Sequence, residues 1–164
     1  LKRAQGCSVA LRDVVDSDLQ VFFEQQREPE GVAMAAFTVK DPADRLAFEA
    51  HWSTIRADRS IAIKTIVADG RVAGHVSAYG PPSEREVTYW LGKEFWGRGL
   101  ASEALAAFLL IVAERPLYAR AAKDNLASLR VLQKCGFAVS GYDNGFANAR
   151  GATIEEVLLK LERT

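Results

Sequence analysis

The chain is 164 residues long, 49% hydrophobic and 26% charged, a balance that excludes disordered and fibrous classes and predicts one folded domain over residues 1–164. Lysine plus arginine and aspartate plus glutamate number 21 each, so the formal net charge is +0 and no overall field favours nucleic acid or an anionic membrane as partner. The longest apolar run, residues 104–113, falls far short of the roughly 20 that a bilayer-spanning helix needs, and no signal-peptide core follows Lys2 and Arg3, so a cytoplasmic protein is expected.

In chain order, residues 8–13 read as a short strand, and Asp16 or Ser17 can cap a helix carrying Leu19, Phe22 and Phe23 that ends before Pro29. Residues 24–30 are too polar for core. Asp41 followed by Pro42 reads as the next helix start, with Phe48, Trp52 and Ile55 as its buried stripe. Residues 61–68 and 71–79 flank Asp69-Gly70, the signal for a tight hairpin, and after the turn at Gly80-Pro81-Pro82 a strand follows over 86–91. In that strand Glu86, Thr88 and Trp90 share one face and Val87, Tyr89 and Leu91 the other.

A glycine-bearing loop then opens directly into a helix over residues 100–114, whose nearly all-round apolar surface predicts burial and which Pro116 stops. Residues 117–122 form a strand, and strand, helix, strand at this length predicts a parallel pair joined by a right-handed crossover. Asp124 can cap a helix over 125–134 that ends at Cys135-Gly136. Residues 137–142 and 153–161 read as closing strands, with 143–152 as an exposed turn region. The whole is an α/β domain with a mixed sheet and three or four helices.

Cys7 and Cys135 stand far apart in no Cys-x-x-Cys pattern, which predicts reduced thiols, and with only His51 and His75 beside them a zinc site lacks ligands, so no metal is expected. The chemistry concentrates instead in Trp96-Gly97-Arg98-Gly99-Leu100-Ala101-Ser102. A helix start exposes unpaired amides and the positive end of the dipole, and glycines let a polyanion approach the backbone, so the stretch reads as a pyrophosphate cradle with Arg98 adding a charge-assisted contact. A P-loop would need Gly-Lys-Ser/Thr where Gly99-Leu100-Ala101 stands. A dinucleotide loop would need an acidic residue where Ala121 and Ala122 stand, and glycines serving a plain tight turn are the bland alternative.

Two motifs in sequence resolve the choice. Glu86-Val87-Thr88-Tyr89-Trp90-Leu91 runs through Phe95-Trp96-Gly97-Arg98-Gly99-Leu100-Ala101, and Asn125-Leu126-Ala127-Ser128 precedes Val131-Leu132-Gln133-Lys134-Cys135-Gly136-Phe137. This pairing resembles the GNAT superfamily of acyl-CoA-dependent N-acetyltransferases, and within it the RimJ/RimL-like, ribosomal-protein-alanine branch. The resemblance implies a mixed, mostly antiparallel sheet of about six or seven strands flanked by helices, with one splayed parallel pair. It implies that amides from Trp96 to Ala101 (Trp96, Gly97, Arg98, Gly99, Leu100 and Ala101) hold the coenzyme A pyrophosphate of acetyl-CoA. Tyr89, Trp90 and Leu91 would line the pantetheine arm, Asn125 would bind the cofactor or fix the wedge, and Ser128 would lie near the thioester sulfur.

Asn125, Ser128 and Leu132 fall on one helical face, which agrees, although Asn125 and Ser128 also suit plain capping. Two positions depart from the family pattern: Trp96 stands where Gln or Arg is usual, and Leu132 where a proton-donating Tyr often stands. Transfer to an amine needs a neutral nucleophile, a stabilised oxyanion and a proton for the thiolate. Glu86 is the expected base, directly or through water, with Glu84, His75 and Tyr142 as alternatives; backbone amides near Trp90 or Leu91 serve the oxyanion and Ser128 the sulfur. The expected activity is acetyl transfer to a primary amine of a protein N-terminus or small molecule by direct attack, in a monomer or homodimer. The alternative is a non-catalytic acyl-CoA-binding sensor or partner module.

Overall fold

The computed structural model describes residues 9–162, so Cys7, Lys2, Arg3 and the first residue of the predicted opening strand lie outside the described residues. Strand β1 (Val9–Arg12) is followed by helices α1 (Asp18–Gln26), α2 (Pro29–Ala35) and α3 (Arg45–Ala57). Strands β2 (Ala62–Ala68), β3 (Arg71–Tyr79) and β4 (Glu86–Leu91) come next, then α4 (Leu100–Ile111), β5 (Leu117–Ala122), α5 (Leu126–Lys134), β6 (Ala138–Ala147) and β7 (Ala152–Leu161). The strands form one sheet in the order β1-β2-β3-β4-β5-β7-β6. Every neighbouring pair is antiparallel except β4 and β5.

The hairpin β2–β3 turns at Asp69 and Gly70, both with positive φ (54° and 70°), the twist-matched geometry that the Asp-Gly pair favours. The parallel pair β4 and β5 shares a single register pair, Glu86 with Tyr118, and beyond it the strands part. Two apolar layers clamp the sheet. Phe95, Leu100, Leu105, Phe108 and Leu132 carry α4 and α5 against Val87, Leu117 and Leu159, while Phe22, Phe23, Phe48 and Trp52 pack α1 and α3 beside Ile63 and Val72.

Several predicted boundaries are corrected. The first helix does end before Pro29, and Pro29 in addition starts an unpredicted α2, because a missing amide costs nothing at the first helical position and Glu28 caps the turn by accepting from Gly31 N at 2.7 Å. The next helix begins at Arg45, where Asp44 accepts from Ala47 N, while Asp41 makes only a local turn with Ala43 N. Asn125, not Asp124, caps α5, since Asp124 is drawn into a two-pronged ion pair with Arg150 at 2.8 and 3.1 Å. The predicted turn region 143–152 is mostly strand, because Ala147 is fully buried and β6 pairs with β7 as far as Ala147 with Ala152. Helix α4 buries Leu100, Ala104, Leu105 and Phe108 on one side only, and Leu110 is 88% exposed. Among the described residues there are five α-helices rather than three or four.

Asp18 is a polar member of the core that patterning alone does not reveal. Its carboxylate accepts from Arg12 at 2.7 and 2.9 Å, from Val15 N at 3.0 Å and from Thr65 Oγ1 at 2.7 Å. Burial alone would raise its pKa, but Arg12, the Val15 amide and Thr65 outweigh burial and bring it down to about 2. The folded-state value lies below the unfolded one, so the stabilisation is complete at neutral pH and fades as pH falls from about 4 towards 2. Asp18→Asn is expected to cost about 2 to 3 kcal/mol at pH 7, read by urea unfolding, with the gap to the parent closing in acid.

Candidate functional site

Where β4 and β5 part, the sheet opens into a cavity of about 980 Å³. Its walls include Glu86, Tyr89, Trp90, Leu91, Trp96, Gly97, Gly99, Leu100, Ala101, Asn125 and Ser128, so eleven of the sequence-predicted site residues share one space. Arg98 is not in that wall; its guanidinium turns to Asp69 Oδ2 at 3.1 Å and stands 5.4 Å from the Phe95 ring centre. His75 lines the cavity as well, whereas Glu84 and Tyr142 do not.

The glycine loop is shaped by the backbone. Gly97 and Gly99 have φ of 75° and 73°, a left-handed conformation that L side chains avoid, and a Cβ at either would meet nothing within 4 Å. Conformation rather than crowding demands glycine there, and the space above the loop stays open. The first-turn amides of α4 have no intrahelical acceptor, and Gly99 as N-cap supplies no side chain to satisfy them. Trp96 contributes neither of its donors to that opening: its amide goes to Lys93 O at 3.1 Å and its indole to Leu91 O at 2.9 Å. It acts as a brace across the turn while still lining the cavity.

At the other end of β4, the Glu86 carboxylate accepts from Tyr79 Oη at 2.8 Å and from Arg120 Nε at 2.9 Å. Arg120 also reaches Glu156 Oε1 at 2.8 Å and Asp143 Oδ2 at 3.5 Å, so a charge network closes the base of the wedge. Burial and the bond to Glu86 push the Tyr79 phenol up to about 12, which keeps it a donor. Arg120, Tyr79 and Glu156 carry no motif signal and are brought here by strand register.

Between these ends Tyr89 Oη and Ser128 Oγ lie 3.1 Å apart, joining β4 to α5. Burial raises the Tyr89 pKa, so the phenol holds its proton across the physiological range. Leu132 on the next turn of α5 is buried and carries no hydroxyl, so the phenol on this wall comes from β4. Asn125 caps α5 by accepting from Ser128 N at 3.2 Å, which fixes the serine on the cavity wall. Among the described residues, no cluster of His, Cys, Asp and Glu has the grouping a metal ion needs, and no helix is long and apolar enough to cross a membrane.

A splayed parallel strand pair feeding a glycine-led helix start is the architecture of an acyl-CoA-dependent acyltransferase. The chain belongs to the acetyltransferase (GNAT) domain family, which it matches over residues 8–138, and its activity is therefore acetyl-CoA-dependent N-acetyl transfer. Solved structures agree in fold. RimJ of Mycobacterium smegmatis, in complex with CoA-disulfide, is 22% identical over 94% of this chain and 81% of its own, with a TM-score of 0.79. RimL, a ribosomal alpha-N-protein acetyltransferase in complex with coenzyme A, is 18% identical over 94% of both chains, with a TM-score of 0.80. Spermidine N-acetyltransferase from Vibrio cholerae, with CoA and spermine, is 15% identical over 94% of this chain and 95% of its own, also at 0.80. No curated protein sequence matches the chain.

Arg120→Ala is expected to lower stability by about 2 kcal/mol, because it strands the nearly buried Glu156 carboxylate without a cation. Arg120→Lys should recover part of that loss but not the three-way contact, as chemical denaturation of the set will show.

Proposed function

We propose that the chain is a single catalytic domain of the RimJ/RimL-like branch, transferring acetyl from acetyl-CoA to a primary amine of a protein N-terminus or small molecule by direct attack. The observation that carries this reading is the start of α4. Helices α2, α3 and α5 each spend a side chain on capping, and α4 alone among these four opens bare onto the cavity through two left-handed glycines. Such an end is matched to a diphosphate, which takes up unpaired amides and sits at the positive pole of the dipole.

Bound acetyl-CoA supplies the acetyl group as a thioester. The amides from Gly97 to Ala101 hold the diphosphate, Arg98 adds charge from outside through an exposed ion pair that is cheap to exchange, and Tyr89, Trp90 and Leu91 flank the arm. Amides near Trp90 or Leu91 stabilise the oxyanion. Glu86 takes the proton of the attacking amine, directly or through a water; its two oxygens already accept from Tyr79 and Arg120, and each keeps a second lone pair. The Ser128 hydroxyl, backed by the protonated Tyr89 phenol, delivers a proton towards the departing sulfur. Neither cysteine acts as nucleophile.

Calorimetry with acetyl-CoA, run beside NAD, tests the reading. One saturable acetyl-CoA site per chain and none for NAD is the expected result; no acetyl-CoA binding up to millimolar concentration overturns it. Gly99→Val should weaken acetyl-CoA binding by at least tenfold. Glu86→Gln and Ser128→Ala should bind it as the parent does while losing on the order of 100-fold in kcat, and Tyr89→Phe about tenfold. Retained binding with no turnover of any amine would identify a sensor module instead.

A further inference from the structure

The cavity has a second wall that the cofactor reading does not use. On the side covered by α2, α3 and the segment between them, the lining is mainly apolar, with Phe37, Val39, Trp52, Ile55, Ile61 and Ile63, and its uncharged polar members include Gln26 and Thr38. Two imidazoles, His51 and His75, lie on the same wall. The His75 ring sits edge-on between Phe22 and Trp52, with centres 4.8 and 4.9 Å away, and its Nδ1 is buried without a hydrogen-bond partner. Burial, with a smaller push from His51, takes its pKa down to about 4, so it adds no charge to the wall.

The charges that do line the cavity cancel. Among the described residues its carboxylates are Glu86 and Glu156, both ion-paired to Arg120, and the other charged lining residue is Arg130, a further cation. No carboxylate is left over to receive a second ammonium group. A polyamine entering this space would bury cations without counter-charges, which is strongly unfavourable. An amine with one nitrogen escapes that cost, because it must shed its proton to attack and then carries no charge at all. Its apolar body would meet the aromatic and branched side chains already there.

From this lining we propose that the acceptor is a primary amine on an apolar or aromatic body with no second cation, seated against Phe37, Val39, Trp52, Ile55, Ile61 and Ile63. The assignment rests on the acetyl-transfer reading above and narrows it: a small aromatic amine and a peptide beginning with an apolar residue share this chemistry, and polyamines and aminoglycosides do not.

The test is kcat/KM for butylamine, hexylamine, phenethylamine, a tripeptide amide beginning with Phe, and spermidine, followed by release of the coenzyme A thiol. The expected result is a rise of about fourfold per added methylene from butylamine to hexylamine, the increment of one buried methylene. Phenethylamine or the Phe-initiated peptide should exceed spermidine at least tenfold, and which of the two leads identifies a free amine or a peptide N-terminus as the source. Val39 is 51% exposed, so Val39→Asp should fold normally and shift preference towards spermidine. Spermidine at or above phenethylamine, or equal rates for butylamine and hexylamine, overturns the assignment. Acetyl-CoA calorimetry on the same protein separates the levels of failure: with cofactor bound, the wrong ranking or no turnover of the panel removes only the acceptor class, and without cofactor binding the transferase reading falls and the acceptor class with it.

Discussion

One guanidinium holds the molecule together at its thinnest point. Arg120 of β5 reaches Glu86 on β4, Glu156 on β7 and Asp143 on β6, so a single side chain ties four strands at the level where the parallel pair has only one shared position. The wedge exists because β4 and β5 separate, and it keeps its shape because they separate from a fixed base. Glu86 owes its orientation to the same contact, with Tyr79 holding its other oxygen. A carboxylate fixed on the cavity wall and a sheet held at its split are therefore two results of one electrostatic knot.

The far end of the wedge is set by sterics and hydrogen bonding. Trp96 spends its indole on Leu91 O and its amide on Lys93 O, pinning the end of β4 to the turn before α4. With the turn pinned, the left-handed glycines can present the helix start outward. Gly31 belongs to the same construction: a Cβ there would come within 3.3 Å of the Trp90 ring and 3.5 Å of Trp96, so α2 lies close against both indoles. Trp96 thus gives the loop rigidity, with both of its donors spent inside the turn.

Much of this was legible in the chain itself, where the signal is local. Asp69-Gly70 between β-branched runs specifies a hairpin, and Gly97 and Gly99 before an apolar run specify a left-handed turn into a helix start, because turn chemistry and periodicity act over a few residues. The errors came where a long-range contact outbid a local preference. Asp124 had the right position for a cap but pairs with Arg150 in the β6–β7 turn; Asn144 and Gly145 suggest a turn but lie in a strand, paired with Glu155 and Ile154. Residues 100–114 read as a helix apolar on nearly all sides, yet only the face of α4 towards the sheet is covered. The Tyr89–Ser128 contact joins positions 39 apart in sequence, and the Asp18 cluster joins residues up to 47 apart; no spacing rule encodes either.

The split between β4 and β5 also changes how many borders the sheet has. An ordinary open sheet exposes one unpaired rim on each outer strand, here β1 and β6, whereas this one has two more, facing each other inside the molecule. An unpaired rim is a template for any extended chain, and proteins usually guard such rims with charge, bulges or brevity. Here the guard is geometric: the inner rims diverge, so a strand that paired with one would leave the other behind, and Asn125, Ser128 and the indole of Trp96 line the gap. A gap of that shape suits a thin, flexible ligand better than a further strand, which could pair with only one of the two rims.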